Sequence, residues 1–475
     1  MGDAFALRLN NSYKFGYSPE TFLMSAIASL SESKKEFTLI SQIQKNSIDK
    51  FHSKKIEEKS RLLALMTNKY SLNGSLNYCE KTKLCNLIFK ENIENKNNFN
   101  CPKSLKFGDI FCGAGGLSSG LIKSGMIPVW AIDKDFASIL TYRFNHKLNK
   151  DLKVLCGDAQ EIFSSRGKFL VENKIDVLVG GPPCQGFSNA NRQRLSDDPR
   201  NHLYKTFLKT LKESNAKYSI LENVPGMKNA SQSIEKEFKD IGYKSEFFLL
   251  DANDFGIPQK RKRLFIVSKK ITNNDEDKDF FEVFKSHITL SRKPKNFNLF
   301  EHIKDLPFLE AKNIRNSTEL ESSKYGFSTW IHTKKSKEDI RVIFNHRSKY
   351  LNERDKKIYS LLKPGDDSEA SSIQDLNPYK SRDHIFKDKF YKLHPNKPSK
   401  TITAHMYFDT HMYIHPNQAR GLSPREAARV QGFDDDFIFF GFPNEWYRQI
   451  GNAVSPVVSK IIGNALQMAH RKINE

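Results

Sequence analysis

The sequence predicts an α/β fold built on a parallel sheet, with a smaller and more irregular domain beside it. Two observations indicate the sheet. From residue 105 onward, short apolar runs alternate with stretches of helical periodicity, which is typical of βαβ units. The first of these runs ends in a glycine-rich turn that opens a helical stretch. A third observation indicates the irregular domain, because the alternation breaks off near residue 272 and returns only after residue 400.

The predicted strands follow one another along the chain. The first is the apolar run that begins KFGDIFCGAGG, and the next two are IPVWAID and LKVLCGD. IDVLVGGPP and KYSILENVPG contain the fourth and fifth, and FFLLDANDFG and RLFIVSKK contain the last two. Each run is short and bounded by turn residues, which favours strands over helices. Residues 1–104 are polar, with apolar positions at helical spacing, and predict a helical extension of unknown role.

The composition bears on partners and on the class of protein. Lys and Arg total 76 against 55 acidic residues, a formal charge of +21. This excess favours a polyanionic partner, nucleic acid before membrane, although a generally basic proteome would explain it equally well. No stretch approaches the ~20 consecutive apolar residues of a membrane helix. Six cysteines without a CxxC pair predict reduced thiols in a cytosolic protein and no metal site.

The glycine-rich turn predicts a nucleotide site. Gly113, Gly115 and Gly116 follow the first strand, and glycines there allow the backbone to turn tightly and approach a ligand. Asp133 ends the second strand about 20 residues later, where an acid holds ribose hydroxyls in nucleotide-binding folds. Asp158 ends the third strand. The turn by itself also fits a dinucleotide oxidoreductase.

Three further strings place reactive or charged side chains at the same expected edge of the sheet. Cys184 follows the fourth strand and two prolines, which stiffen the loop. Glu222 lies at the end of the fifth strand, and parallel strands end at the edge where ligands bind in such folds. Gln259, Arg261 and Arg263 alternate just before the last strand. An extended chain would turn all three toward one face, where they suit an oxygen-rich ligand.

In order and wording, these blocks resemble the DNA (cytosine-5) methyltransferases. FGDIFCGAGGLSSGL, GGPPCQGFS, ENVPG, QKRKR, RGLSPREAARVQGF and QIGNAVSPVV match six motifs of that family. The resemblance covers about residue 105 to the C-terminus, apart from much of 272–390. It implies the S-adenosylmethionine-dependent methyltransferase fold, a Rossmann-like mixed sheet with a smaller target-recognition domain. We therefore expect a cofactor-binding catalytic domain in 105–271, target recognition in 272–430 and a return to the catalytic domain in 431–475.

The resemblance also implies a mechanism. Cys184 would attack C6 of a flipped-out cytosine, which makes C5 able to accept a methyl group. Glu222 would hold N3 and the exocyclic amine, while Arg263, together with Arg261, would face O2. S-adenosylmethionine would be the donor, with Asp133 on its ribose and Asp158 on its adenine amine. The implied cofactor residues are Phe111, Gly113, Gly115, Gly116, Asp133, Asp158, Asn452 and Val454.

The expected partner is double-stranded DNA that carries a specific target sequence. A prokaryotic modification enzyme of this kind would be a cytoplasmic monomer away from membranes, either solitary or paired in function with a restriction endonuclease. Two other interpretations remain open. One is a tRNA cytosine-5 methyltransferase on the same fold, although such proteins tend to lack a long insert. The other is a catalytically inactive DNA-binding regulator, which would have no need of Cys184, Glu222 and Arg263.

Overall fold

The structure is a computed structural model that describes the chain in segments. These are residues 104–146, 152–165, 168–183, 202–272, 274–294, 297–311, 329–332, 340–343, 345–380, 389–440 and 443–474. Two of our predictions, the helical extension and the position of Cys184, therefore fall on residues outside the described ones.

A seven-stranded mixed sheet is formed by the predicted apolar runs, which confirms the predicted α/β fold. Its spatial order is β3-β2-β1-β4-β5-β7-β6. β1 to β5 pair in parallel, whereas β7 runs antiparallel to both of its neighbours. The strands are β1 (Lys106–Ile110), β2 (Ile127–Asp133), β3 (Lys153–Cys156), β4 (Val177–Gly180), β5 (Tyr218–Asn223), β6 (Tyr243–Asp251) and β7 (Lys262–Lys270).

The strand order creates a crevice at one edge of the sheet. β1 lies in the middle, and the chain leaves it toward β2 and β3 on one side and β4 and β5 on the other. Ligands bind outside the carboxyl ends of the strands at such a switch point. Asn223 at the end of β5 pairs with Leu264 near the start of β7. Because β7 is reversed, its first residues lie at the same edge as the carboxyl ends of the parallel strands.

Helices cover both faces of the sheet. On one face, Leu121, Phe280 and Ile462 join β-strand residues in a shared core. On the other face, Phe207 and Phe238 pack with strand residues in a second core. The helices are α1 (Gly116–Lys123), α2 (Phe136–Asn145), α3 (Ala159–Ser165), α4 (Phe169–Glu172), α5 (His202–Ser214), α6 (Ser231–Asp240) and α7 (Asn274–Leu290), together with α12 (Pro456–Lys472) from the C-terminal end of the chain.

A further core forms between residues 299 and 453, outside the sheet. Ile402, Val430 and Trp446 are fully buried in it. Three helices contribute side chains to it: α8 (Leu299–Ile303), α10 (Pro424–Gln431) and α11 (Pro443–Asn452). The same part of the chain also contains β8 (Thr329–His332), β9 (Ile340–Ile343) and α9 (Glu353–Leu361). In the part of the chain that the structure describes, every helix is too short or too polar to cross a bilayer.

The hydrophobic packing continues across residues 271 and 430, the positions where we expected domain boundaries. Phe280 and Phe284 of α7 lie in the same core as Val267 of β7, and the buried Lys269 and Asp277 side chains form an ion pair that ties the two elements together. The stretch in which the strand alternation breaks off, after residue 272, begins with this helix. The core outside the sheet, which we call the smaller core, likewise continues across residue 430 into α11. Local polarity marks a break in the strand rhythm, but it does not tell which core a helix joins.

Candidate active site

The glycine turn after β1 presents one glycine to open space and packs the other two against protein. Gly113 has a φ of +53°, and no described atom lies within 4 Å of the place where a Cβ would stand. A Cβ at Gly115 would lie 2.5 Å from His146 Nε2, and one at Gly116 would lie 2.4 Å from the Val454 carbonyl oxygen. A ligand can therefore approach the backbone at Gly113, while larger residues are excluded at the other two positions.

Asp133, at the end of β2, holds this turn in place. Its Oδ2 accepts the Gly113 N–H at 2.9 Å, and its Oδ1 accepts the Asp135 N–H at 2.8 Å. Burial raises the pKa of Asp133, although both hydrogen bonds oppose the rise. Each carboxylate oxygen has a second lone pair, so the group has capacity left for the hydroxyls of a ligand.

The remaining predicted cofactor residues lie around the same edge. Phe111 has a φ of 61° and packs half-buried against the sheet. Asp158 follows β3, where its Oδ1 accepts the Gln160 N–H at 2.8 Å. From the far end of the chain, Val454 is buried with its carbonyl against the glycine turn, and Asn452 is exposed at the end of α11.

Glu222 and Arg263 form an ion pair at the neighbouring part of this edge. Arg263 Nε lies 3.1 Å from Glu222 Oε1, and the two side chains are 18% and 12% exposed. Burial raises the pKa of Glu222, and the positive charges of Arg263 and Arg261 work against that rise. A carboxyl group in this state holds a proton at a pH where an ordinary glutamate has lost it, so it can donate a hydrogen bond.

The loop after β4 lies directly against this glutamate. A Cβ at Gly181 would lie 3.1 Å from Glu222 Oε2, so a larger residue there would crowd the carboxyl group. Asn223 Nδ2 donates to the Pro182 carbonyl at 3.3 Å and fastens the loop to β5. Cys184 itself lies outside the described residues, but the residues that lead to it are held beside Glu222.

Gln259, Arg261 and Arg263 are all less exposed than the intervening Lys260 and Lys262, as expected of alternate residues in an extended chain, and of the three Arg263 is the one that pairs with Glu222. Arg261 is buried, and its guanidinium donates to the carbonyls of Ile402 at 2.7 Å, Gly451 at 3.0 Å and Ala453 at 2.9 Å. Burial lowers its pKa to about 9. The guanidinium of Arg261 is therefore held by the backbone carbonyls of three residues from other segments.

Gln259 binds the same segment as Arg261, at Ile402. Its Oε1 accepts the Ile402 N–H at 2.8 Å, and its Nε2 donates to Gln431 Oε1 at 2.6 Å. Gln431 in turn donates to the Ala453 carbonyl at 2.6 Å. Two side chains before β7 thus join three segments that are far apart in sequence: the start of TITAHM, the end of α10 and the QIGNAV motif.

A family model for the C-5 cytosine-specific DNA methylases matches residues 105–468. The chain belongs to this family. The recognition of the family and of its activity on DNA from the sequence motifs is thereby confirmed, and the dinucleotide oxidoreductase interpretation is wrong. The family's members transfer methyl groups, which agrees with the α/β methyltransferase sheet.

Among its relatives, this DNA methylase is similar to type II methyltransferases of bacteria. It is 30% identical to M.DdeI of Desulfomicrobium norvegicum, with 77% of this chain and 89% of the relative covered. It is 29% identical to M1.HphI of Haemophilus parahaemolyticus, over 76% and 87% of the two chains. A solved structure of a prophage-encoded E. coli protein classed as a DNA modification methyltransferase superposes with a TM-score of 0.56, at 26% identity, and covers 78% of this chain and all of that one.

Beneath the glycine turn, three buried polar side chains of this methylase are joined by hydrogen bonds that the sequence did not predict. Ser118 Oγ donates to Asp109 Oδ2 at 2.5 Å, and the Tyr142 hydroxyl donates to Ser118 Oγ at 2.7 Å. Burial raises the pKa of Asp109 to about 8. The available signal was the acid itself, because a carboxyl group inside a short apolar strand is rarely buried without a reason.

Among the described residues of the methylase, no group of three or more His, Cys, Asp or Glu side chains is placed to hold a metal ion. The hydrogen-bonding groups around the glycine turn include the Asp133 carboxyl group, the Asn452 amide and the backbone at Gly113, which suit an organic ligand.

Proposed function

We propose that this methylase transfers a methyl group from S-adenosylmethionine to C5 of cytosine within a specific sequence of double-stranded DNA, through a covalent adduct between Cys184 and C6. The observation that carries the proposal is the Glu222 carboxyl group. Burial raises its pKa, Arg263 lies 3.1 Å away, and the loop that leads to Cys184 lies against it.

The chemistry requires activation of C5, which is a poor nucleophile in free cytosine. The Cys184 thiolate forms a bond to C6, and the electrons of the C5–C6 double bond become available at C5. C5 then takes the methyl group, and loss of the C5 proton to a base restores the double bond as the thiolate leaves. Covalent catalysis of this kind divides one difficult step into easier ones.

Glu222 and Arg263 would act on the opposite side of the ring. Electron density moves toward N3 and O2 when the thiolate adds, and a protonated Glu222 can donate to N3. Arg263 would face O2, where its charge stabilises the density that develops. Arg261 is bound to three carbonyls, so we propose that it positions the surrounding segments instead of contacting the base.

The residues around the glycine turn fit S-adenosylmethionine. Gly113 offers its backbone to open space, and Asp133 has lone pairs left for ribose hydroxyls. When bound, the cofactor supplies an electrophilic methyl group on a sulfonium sulfur. We assign Asp158 to the adenine amine and Phe111, Asn452 and Val454 to the walls of the site, with Gly115 and Gly116 shaping the turn.

Double-stranded DNA is the proposed substrate. In a duplex the target base is stacked, so it must leave the stack to reach Glu222. Flipping costs a few kcal/mol, which contacts to DNA on both sides of the base must offset. The region from 272 to 430 would supply these contacts: basic side chains on phosphates for affinity and a few others on base edges for sequence. Since M.DdeI and M1.HphI are named type II methyltransferases, we propose a restriction endonuclease as the functional partner.

A methyl-transfer assay tests the proposal. The full-length protein with tritiated S-adenosylmethionine should label plasmid DNA and leave tRNA unlabelled, and bisulfite sequencing of the product should reveal one target sequence. Cys184→Ser should abolish labelling while binding of cofactor and DNA persists. DNA with 5-fluorocytosine at the target should trap the wild type covalently, because fluorine does not leave as a proton does. Turnover by Cys184→Ser would refute the covalent mechanism, and labelled tRNA would favour the alternative substrate.

A further inference from the structure

A large aromatic side chain is exposed on the short segment that follows TIT in the sequence. Ala404–Tyr407 form a single 3-10 turn, and Phe408 directly after it is 71% exposed. The rings of Tyr407 and His405 lie 5.0 and 5.6 Å from the Phe408 ring, so three aromatic groups share this piece of surface. Exposure of a whole phenylalanine side chain to water is unfavourable for folding.

The segment lies at the proposed active site. A Cβ at Gly451 would stand 2.2 Å from Ala404 N, so the backbones are in contact there. Gly451 immediately precedes Asn452, which we assign to the cofactor site. Arg261 joins Ile402 to the Gly451 carbonyl, and Arg263, two residues further on, reaches Glu222. The aromatic surface therefore begins a few residues from the edge where the base is bound.

The segment is also held rigidly. Lys349 Nζ donates to the carbonyls of Met406 at 3.0 Å and Tyr407 at 2.7 Å, and it lies 5.4 Å above the Tyr447 ring. On the other side of Phe408, Lys389 Nζ pairs with Asp409 at 2.6 Å. Lys349 thus holds the backbone before Phe408, and Lys389 holds the Asp409 side chain after it, while the Phe408 ring stays in water. This arrangement is expected of a contact surface.

We propose that Phe408 stacks on a DNA base next to the target cytosine and so stabilises the duplex in its flipped state. Every base has an apolar face that an aromatic ring can cover, and apolar side chains that enter a base step help to keep it unstacked. The two lysine-anchored flanks keep the ring from collapsing onto the protein. This inference rests on the proposed function, since it assigns Phe408 as a positioning residue for the flipped base.

The test compares Phe408→Ala and Phe408→Trp with the wild type on two synthetic duplexes that contain the mapped target sequence. In one the target cytosine is paired with guanine, and in the other it faces an abasic site. Loss of one base–aromatic stack corresponds to about a 5- to 150-fold change. Phe408→Ala should slow single-turnover methylation of the paired duplex by such a factor, and Phe408→Trp should restore the rate.

The abasic duplex makes the test specific. Its cytosine is already unpaired and leaves the stack at lower cost, so the deficit of Phe408→Ala should shrink markedly there. Val171→Ala is the matched control. It removes another apolar side chain that is 64% exposed, but from α4, to which we assign no part of the site, and it should behave as wild type on both duplexes. Equal deficits on both duplexes, or none on either, would overturn the inference. A wild type that methylates neither duplex would instead refute the proposed function.

Discussion

Two arginine–glutamate pairs in this methylase differ in how many donors surround the carboxyl group. At the catalytic edge, Glu222 receives one arginine contact, from Arg263 Nε at 3.1 Å. In the smaller core, Glu426 receives both ends of a guanidinium, from Arg420 Nη1 at 2.7 Å and Nη2 at 2.6 Å. Glu426 also accepts the Ser423 N–H at 2.7 Å, which completes a capping box at the start of α10.

This difference shifts the pKa values of the two glutamates in opposite directions. Burial raises the pKa of Glu222, because the charges of Arg263 and Arg261 and the single hydrogen bond from Arg263 do not offset the loss of water. The pKa of Glu426 is held well below its ordinary value, since the Arg420 charge and hydrogen bonds outweigh the same burial. Two pairs of the same residue types therefore serve different ends. We propose that the Glu222 pair keeps a proton available for the chemistry, whereas the Glu426 pair keeps a charge that holds the start of α10.

The largest effect should come from removal of the exchangeable proton. We expect Glu222→Gln to slow single-turnover methyl transfer by about 10²–10⁴-fold, because an amide cannot share a proton with N3. The measurement is rapid-quench transfer from tritiated S-adenosylmethionine, with DNA affinity determined in parallel. A near-normal rate would mean that Glu222 has a structural role only, and the proposed functional difference between Glu222 and Glu426 would be wrong.

Disruption of the Arg420–Glu426 pair should lower the stability of the protein without a direct effect on the chemical step. Arg420→Met leaves Glu426 buried without its partner, which should lower the free energy of unfolding by about 3–5 kcal/mol in urea titrations. The matched change Arg263→Met should cost less stability, since its glutamate is partly open to water and can protonate. The double variant Arg420→Met with Glu426→Leu should recover part of the loss. Equal losses at the two arginines would contradict the distinction.

A smaller loss is expected at the junction that links the two regions. Arg261→Lys cannot reach three carbonyls at once, and hydrogen bonds of a charged group are worth about 1.5–3 kcal/mol each. The free energy of unfolding should fall by about that amount. Calorimetry should show weaker binding of S-adenosylmethionine, because Ala453 lies between Asn452 and Val454, which we assign to the cofactor site. The exposed neighbour provides the control, and Lys260→Ala should leave both quantities unchanged.

The smallest effect concerns pH. Glu222 has a folded pKa above its ordinary value of 4.5, so its contribution to stability is present below pH 4.5 and is lost as pH rises through the raised pKa. Glu426 shows the reverse, with a contribution present above 4.5 that is lost as pH falls. At alkaline pH, Glu222→Gln should therefore gain stability over the wild type, because a neutral amide carries no charge that burial would penalise. Urea titrations of both proteins from pH 4 to 9 measure the difference, and parallel stability profiles would contradict this expectation.

Much of the site was predictable because its signals are local. Short apolar runs bounded by turn residues predicted the seven strands, and the glycine turn before a helix marked the place where a ligand meets the backbone. The carboxyl ends of parallel strands meet at one edge. For this reason, the positions of Asp133 and Glu222 along the chain already placed them on the same side of the sheet.

The sequence by itself determined which elements form and which chemistry they carry, since period, turn residues and motif wording are properties of neighbouring residues. Only the tertiary structure decided that α7 joins the core of the sheet and that Arg261 binds Ile402, Gly451 and Ala453 while Arg263 meets Glu222. It also decided that burial raises the pKa of Glu222, whereas the contacts with Arg420 lower the pKa of Glu426. Glu426 takes its donors from Arg420 and Ser423, which are close to it in the sequence. The arginines that oppose the pKa rise of Glu222 come from a segment far along the chain, and no local pattern of residues records that approach.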